Sequence, residues 1–313
     1  MQPIAVIVPN DRHEWLKLRQ QGIGGSDASI IVGMNKYKTP VELWEQKRAP
    51  DVHEEEESAA LFAGRYLEPA IRQMYTAKTG VNVIYPVPMF RHPVHTFMQV
   101  NLDGVIDEDT LFEAKTAQYG DDWGEEFSDQ IPDAYWLQCQ HAMYVTGTSS
   151  TVVAVLIRGI DFKIYVVPAD REAQEALVEA ETTFWNMVQN NVAPDPVKLS
   201  DVGIIWRGRK KEQVFANEGI QTIIDRMNER HAHMKQLEKE HEEDKTKIGV
   251  FMGEAVELLD AEGRAKLVTF SAKTITKKFD SAVLKKKYPD IYEECRVDTE
   301  NSRRMLLCKP KKD

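Results

Sequence analysis

Cysteine is scarce: Cys139, Cys295 and Cys308 are the whole complement of a 313-residue chain. Three thiols without a C-x-x-C pair make neither a disulfide framework nor a thiolate metal site, and a reducing compartment fits them best. Long apolar runs are missing as well. The run VVAVLI at 152–157 falls far short of the roughly 20 residues that cross a bilayer. The opening MQPIAVIVPNDR has no basic stretch ahead of its apolar residues, so no secretory leader is expected. Together these absences predict a soluble, cytoplasmic protein with no membrane part. Basic residues are outnumbered too, 40 Lys and Arg against 50 Asp and Glu, for a net charge of −10.

That deficit argues at first sight against a polyanionic partner, because phosphate binding needs cations to displace counterions. Its distribution says more. Residues 1–205 carry 16 basic and 30 acidic side chains, residues 206–313 carry 24 and 20, and from Gly263 onward the count is 14 to 7. An acidic body with a basic tail suits a protein that gathers carboxylates around a metal while Lys and Arg elsewhere hold a strand; a merely solvated basic surface gives the same count. With 42% apolar residues the chain has enough to bury one large domain and a smaller one.

Helical spacing dominates the first hundred residues. A helix over 14–21 leads into the loop GIGGSD and a short helix that Ser26 or Asp27 would cap. Thr39-Pro40-Val41-Glu42 is a capping box with proline at the first helical position, so a helix over 42–47 follows. The acidic run 54–57 marks a surface loop or helix start. Leu61, Leu67, Ile71, Met74 and Tyr75 then share a helical face that ends at Gly80, with a kink or late start expected at Pro69. Spacing next changes to alternation. Met98, Val100 and Leu102 fall on one face of an extended segment and Asn101 and Asp103 on the other; 111–116 repeats the pattern with Glu113 and Lys115 on a common face, after a turn at 107–109. A helix over 132–145 stopped by Gly147, strands at 151–157 and 162–167, and a helix over 171–188 complete an α/β core.

Pro194-Asp195-Pro196 breaks that helix and sets the expected division, 1–200 against 201–313. Beyond it Ile220, Ile223, Met227, His231, Met234 and Leu237 form the stripe of a long amphipathic helix, a packing or coiled-coil surface. A short helix over 250–259 precedes an expected hairpin, with its turn at 260–263 and strand-like residues at 266–273 and 274–279.

The chemistry concentrates at Asp103, Glu113 and Lys115. Phosphodiester hydrolysis with a bound cation needs hard carboxylate ligands and a positive group to orient water or offset developing charge. A hairpin would bring these three together. Ionisable groups on a strand otherwise made of Leu, Phe and Ala are costly if buried without partners. The same spacing also describes a half-exposed strand with a Glu and Lys pair on its wet face.

Four blocks in order carry a resemblance: WLKLRQQGIGGSDASIIVG at 15–33, GRYLEPAIRQMY at 64–75, NLDGVIDEDTLFEAKTA at 101–117 and AYWLQCQHAMYVTG at 134–147. The chain resembles the YqaJ-like viral recombinase family, relatives of the phage lambda exonuclease within the PD-(D/E)xK nuclease superfamily, over its first 200 residues or so. The resemblance implies a restriction-endonuclease-like α/β core, a central mixed sheet flanked by helices, followed by a helical and β-hairpin C-terminal extension. It makes Asp103 and Glu113 metal ligands, the carbonyl of Ala114 a further ligand and Lys115 the catalytic lysine. Glu68 matches the carboxylate of the preceding helix, and Gln138 the helix glutamine beside the site, with Gln140 and Tyr144 the neighbouring alternative. Arg19 and Ser26 match positions that hold a 5′ phosphate, a task suited to the planar guanidinium fork. Taken singly, Glu68 also fits a helix-surface acid, Gln138 a solvated side chain and Ser26 a helix cap.

By resemblance the protein is a magnesium-dependent deoxyribonuclease, with manganese as a substitute, that resects double-stranded DNA ends 5′ to 3′ in a bacterial or phage-infected cytoplasm. Its implied partners are duplex DNA and a single-strand annealing protein. A homo-oligomer is expected, with a trimer as one form; the ring of the lambda enzyme is not carried over, because this chain continues for about 110 further residues. In that extension Lys285-Lys286-Lys287 and SRRMLLCKPKK at 302–312 suit a DNA backbone, a protein partner or plain solvation. The rival readings are a structure- or site-dependent endonuclease of the same superfamily and a non-catalytic DNA-binding or assembly module.

Overall fold

The unbroken apolar run at 152–157 decides the architecture, because a strand with no polar face must be covered on both sides. In the computed structural model, which describes residues 3–5, 12–51, 58–208, 213–271 and 279–297, that run lies in one of the two inner strands of a four-stranded mixed sheet. The chain divides into two units, 1–208 and 209–313.

The first unit opens with β1 (Ile4–Ala5) and three helices, α1 (Arg12–Gln20), α2 (Gly25–Ile31) and α3 (Pro40–Arg48). The long α4 (Ala59–Thr79) follows, then the short strands β2 (Phe90–Arg91), β3 (Gln99–Val100) and β4 (Gly104–Val105). Next come β5 (Thr110–Ala117), α5 (Asp133–Thr146), β6 (Ser150–Ile157), β7 (Asp161–Pro168), α6 (Arg171–Gln189) and α7 (Leu199–Ile205). The main sheet has the order β4-β5-β6-β7. β5 runs parallel to β6 through the crossover helix α5, while β4 and β7 are antiparallel edges. β1, β2 and β3 make a separate three-stranded sheet.

Alternation along the inner strands sorts the core into two layers. Leu111, Val153, Val155 and Ile157 pack with Cys139, Ala142 and Met143 of α5. Phe112, Ala114, Val152 and Ala154 pack with Ile71 and Tyr75 of α4. Glu113 and Lys115 therefore belong to the α5 side and Ala114 to the α4 side. A third cluster joins α2, α3 and α6 through Ile30, Leu43, Trp44 and Phe184.

Local chemistry fixes the helix ends. At α3, Thr39 Oγ1 accepts from the Glu42 amide at 3.1 Å and Glu42 accepts from the Thr39 amide at 2.7 Å, the expected capping box. α2 is capped differently from expectation. Its N-cap is Gly24, whose amide donates to Asp27 Oδ2 at 3.0 Å, leaving the Ser26 hydroxyl for another partner. The late start does not occur: Ser58 caps α4 at Leu61, and the helix runs through the exposed Pro69 to Thr79.

Two expectations need correcting. The extended segment at 98–103 is not one strand: β3 ends at Val100 and β4 begins at Gly104 in the other sheet, so Asp103 lies in the bend between them. The unit boundary also lies later than the Pro194-Asp195-Pro196 break. Asp201 of α7 is fully buried and accepts from Thr39 Oγ1 at 2.9 Å, which ties 199–205 to the first unit.

The second unit begins with the single long helix α8 (Glu218–Met252). There is no separate helix over 250–259: α8 covers the first residues, and β8 (Glu257–Leu259) pairs with β9 (Lys266–Thr269) around a turn with Gly263 at φ 70°. The turn was expected, but its first strand was read as helix. Two short helices follow, α9 (Ser281–Lys287) and α10 (Pro289–Glu294). The stripe residues Ile220, Ile223, Met234 and Leu237 are exposed. The acidic run 54–57, most of 274–279, the block 302–312 and Cys308 lie outside the described residues. Among the described residues no helix is long and apolar enough to cross a membrane.

Candidate active site

β5 delivers Glu113 and Lys115 to one point because alternate residues of a strand share a face. Lys115 Nζ donates to Glu113 Oε1 at 2.5 Å and to Gln138 Oε1 at 3.1 Å, and Gln138 Nε2 donates back to the same Glu113 oxygen at 2.5 Å. The triangle closes between β5 and α5, with the ammonium 4.9 Å from the Tyr135 ring centroid one turn earlier on that helix. Glu113 is only 6% exposed, so these bonds replace the water it has lost.

Asp103 joins from the neighbouring bend. Its Oδ2 accepts from the Ala114 amide at 2.9 Å, and its carbonyl accepts from Arg72 Nη1 of α4 at 2.9 Å. Glycine at 104 permits this approach, since a Cβ there would lie 2.3 Å from Val83 Cγ1. Glu68, one turn before Arg72 on α4, lies within electrostatic reach of Asp103, Glu113 and Lys115.

The charges are unbalanced. Burial, and then the Asp103 carboxylate, push Glu68 up to about 7 against the pull of Arg72 and Lys115. Burial also pushes Glu113 up to about 7; the Lys115 ammonium opposes this and the Asp103 and Glu68 carboxylates reinforce it. Asp103 is raised by burial against Lys115 and Arg72. Lys115 moves the other way from its burial: the Glu113 and Asp103 carboxylates outweigh desolvation and raise it above the ordinary lysine range. Among the described residues, no three His, Cys, Asp or Glu side chains are already gathered tightly enough to grip an ion. In their place the Lys115 ammonium serves as the counter-ion of Glu113.

Arg19 and Ser26 also meet. Arg19 Nη2 donates to Ser26 Oγ at 2.7 Å and lies 3.4 Å from Asp27 Oδ1. Behind them Lys47 Nζ, almost fully buried, donates to Asp27 Oδ2 at 2.7 Å and to the Arg19 carbonyl at 2.9 Å. Burial pushes the Asp27 carboxyl up, but the Lys47 and Arg19 charges and the bonds from Lys47 and Gly24 outweigh it and hold the group far below the usual carboxylate range. This cationic pocket abuts the acidic one: a Cβ on Gly25 would lie 3.1 Å from Gln138 Cγ.

Gln140 faces elsewhere. It is fully buried, donates to the Pro168 carbonyl at 2.9 Å and accepts from the Asp170 amide at 2.8 Å, so it anchors the start of α6. Tyr144 stacks on His92 with centroids 4.8 Å apart. His141, one turn after Gln138, places Nδ1 2.8 Å from Glu181 and Nε2 3.0 Å from the Gln99 carbonyl. Burial pulls this imidazole down, but Glu181 and the carbonyl outweigh it and favour the cation. Sequence reasoning missed Arg72, Tyr135, Asp27, Lys47 and His141. Only Arg72 carried a signal, its i+4 spacing from Glu68.

Residues 14–149 match the YqaJ-like viral recombinase domain. The uncharacterized protein YqaJ of Bacillus subtilis (strain 168) is 31% identical over 308 residues, covering 92% of each chain. The chain belongs to the YqaJ family. The YqaJ match spans α1 through α5, and so contains Arg19, Ser26, Glu68, Asp103, Glu113, Lys115 and Gln138. Among solved structures, an alkaline exonuclease (LHK-Exo) from Laribacter hongkongensis is similar over 57% of this YqaJ-family chain and 93% of its own, with TM-score 0.46 and 19% identity. A phage related exonuclease from Haemophilus somnus 129PT is similar over 57% of this chain and 100% of its own, with TM-score 0.42 and 12% identity.

Proposed function

We propose that the chain is a metal-dependent deoxyribonuclease that resects double-stranded DNA ends 5′ to 3′, leaving single-stranded tails for an annealing partner. The observation that carries the reading is the closed triangle of Lys115, Glu113 and Gln138 beside Asp103 and Glu68. Membership of a viral recombinase family supports it.

The donors suit a hard divalent cation, magnesium with manganese as substitute: the carboxylates of Asp103 and Glu113, with Glu68 and the Ala114 carbonyl as further oxygens. Burial, reinforced by the neighbouring carboxylates, raises Glu68 and Glu113 to about 7, and this is the electrostatic condition a dication relieves. Such an ion would lower the pKa of a coordinated water and withdraw charge from a phosphoryl oxygen. Lys115, held above its ordinary pKa by Glu113 and Asp103 against burial, stays an ammonium at neutral pH. It therefore acts as a donor and a positive charge for the anion that builds up at phosphorus, not as a base. Gln138 fixes the ammonium and the Glu113 carboxylate relative to each other.

Arg19 and Ser26 make the 5′-phosphate contact in this reading. Asp27 and Lys47 orient the guanidinium from behind, and α2 presses on Gln138 at Gly25, so the strand end and the scissile bond are recognised by abutting elements. The test is end-labelled duplex in Mg²⁺. Asp103→Ala and Lys115→Ala lower the rate at least roughly 100- to 1,000-fold; a blocked 5′ end slows digestion, and covalently closed circles stay intact. Nicked circles would replace the exonuclease with an endonuclease, and uncut DNA with salt-sensitive binding would leave only a binding module.

A further inference from the structure

Helix α8 is 35 residues long, and Met252 at its last position is the only one of them that is buried. Its side chains nevertheless keep a strict order. Ile220, Met227, Met234, His241 and Ile248 recur every seven positions, and so do Ile223, Arg230, Leu237, Asp244 and Phe251, three positions further on. All but His241, Arg230 and Asp244 are apolar, and Ile220, Ile223, Met234, Leu237, Ile248 and Phe251 are 37–79% exposed. A helix laid on a globular body repeats its apolar residues with a period of 3.6, whereas a 3-4-3-4 order sustained from 220 to 251 is the seam of a two-stranded coiled coil. Helices in water draw most of their stability from such packing, and along this seam α8 has none within its own chain among the described residues.

The three polar positions decide what covers it. In a parallel, in-register pair each seam residue meets its own copy, which sets Arg230 against Arg230 and Asp244 against Asp244. Reversing one helix about a two-fold axis between residues 235 and 236 changes every pairing. Ile220 then meets the partner's Phe251, Ile223 the partner's Ile248 and Met234 the partner's Leu237, and symmetry repeats each apolar contact. Arg230 comes level with the partner's His241 and one layer from the partner's Asp244, an offset of about 4.5 Å along the axis that an arginine side chain spans. Asp244 already accepts from Lys247 of its own helix at 2.9 Å, so the partner's Arg230 completes a cluster of two cations around one acid. Beside the seam, His231 meets the partner's Glu238 and His233 the partner's Glu240. A slip of one heptad in either direction leaves a single apolar pair, Met227 with Leu237 or with Phe251.

We infer that α8 docks on α8 of a second copy of this chain as an antiparallel coiled coil centred between residues 235 and 236. The inference stands apart from the nuclease reading and gives the second unit a task, the joining of two chains. Apolar pairs supply the affinity. Arg230 and Asp244 set direction and register, the use to which polar residues in such seams are put. The contact is the same patch on both copies, so it closes at two.

The full chain is measured by sedimentation equilibrium. Met234→Asp/Leu237→Asp, at two positions exposed in the single chain, lowers the sedimenting mass by half. Asp244→Arg weakens self-association roughly tenfold or more, and Arg230→Asp/Asp244→Arg restores it, because only an antiparallel seam brings the two positions together. Direction is read by crosslinking in a Cys295→Ser/Cys308→Ser background that keeps the buried Cys139. Ile220→Cys and Phe251→Cys proteins form disulfide-linked dimers when mixed and not alone, since like positions lie about 45 Å apart along the reversed pair. Crosslinking of either protein by itself, or a charge swap that fails to rescue, overturns the antiparallel seam. A wild type that sediments as a single chain, or a Met234→Asp/Leu237→Asp protein of unchanged mass, overturns the docking of α8 on a second copy.

Discussion

Two polar clusters abut at Gly25 and Gln138, and they are opposites. Around β5 the carboxylates of Glu68, Asp103 and Glu113 face the cations of Lys115 and Arg72, and the acids are pushed up. Around α2 a single carboxylate, Asp27, faces Lys47 and Arg19 and is pushed far down. Burial is common to both, so the count of neighbouring charges decides the direction. An acid-rich cluster is stabilised by an arriving cation and a cation-rich one by an arriving anion. A metal-assisted nuclease that grips a strand end needs one of each, in contact.

The sharpest way to break this contrast is to make the same chemical change, carboxylate to amide, in both places. At the cationic cluster the effect is large. Asp27→Asn strands the Lys47 ammonium, which is 3% exposed at its side chain, without a counter-charge, and costs about 3–5 kcal/mol in chemical denaturation. The low pKa gives the pH dependence: stability from ionised Asp27 is present above the unfolded carboxylate value and is lost as pH falls toward the folded one. A neutral effect of Asp27→Asn would mean that Lys47 finds water, and the contrast would collapse.

Next in size is Arg19→Ala. With Ser26 and the α2 backbone kept, loss of the guanidinium removes one charge-assisted contact, worth about 1.5–3 kcal/mol, so preference for a 5′-phosphorylated over a 5′-hydroxyl duplex falls roughly tenfold or more in competition assays. Arg19→Lys restores charge without the fork and recovers only part of it. An unchanged preference would detach the cationic cluster from the DNA end.

How far these clusters were legible depended on whether their contacts were local. β5 shows in the alternation, α5 in the glycine stop at 147 and β6 in its apolar run, because each signal is set by near neighbours in the chain. The common face of Glu113 and Lys115 follows from the period of two, whereas Gln138 beside them is implied only by the family resemblance. Alternation across 98–103 reads as one continuous strand ending at Asp103, whereas the chain changes sheets there, and Gly104 lies where a side chain would collide with Val83. The strand at 257–259 was taken for helix because three residues have no resolvable period and its partner lies beyond the turn. Asp27 and Lys47 meet from different helices and His141 and Glu181 from α5 and α6, and no spacing announces either pair.

The smallest effect tests the acidic cluster and has the opposite sign. Burial and the Asp103 carboxylate raise Glu68 from 4.5 to about 7. A raised carboxyl holds its proton more tightly when folded, so the penalty on the folded state is absent below the unfolded pKa, grows between about 4.5 and 7, and is constant above. Glu68→Gln removes that penalty. Because the side chain is partly exposed and screened, the gain is about 1 kcal/mol, a rise in Tm of a few degrees at pH 8 that vanishes near pH 4. Adding Mg²⁺ to the wild type at pH 8 closes the same gap by supplying the missing positive charge, and it raises the Glu68→Gln protein less. The pair of amides therefore separates the two clusters by sign, destabilising at Asp27 and stabilising at Glu68; equal signs would show that burial, not neighbouring charge, governs both.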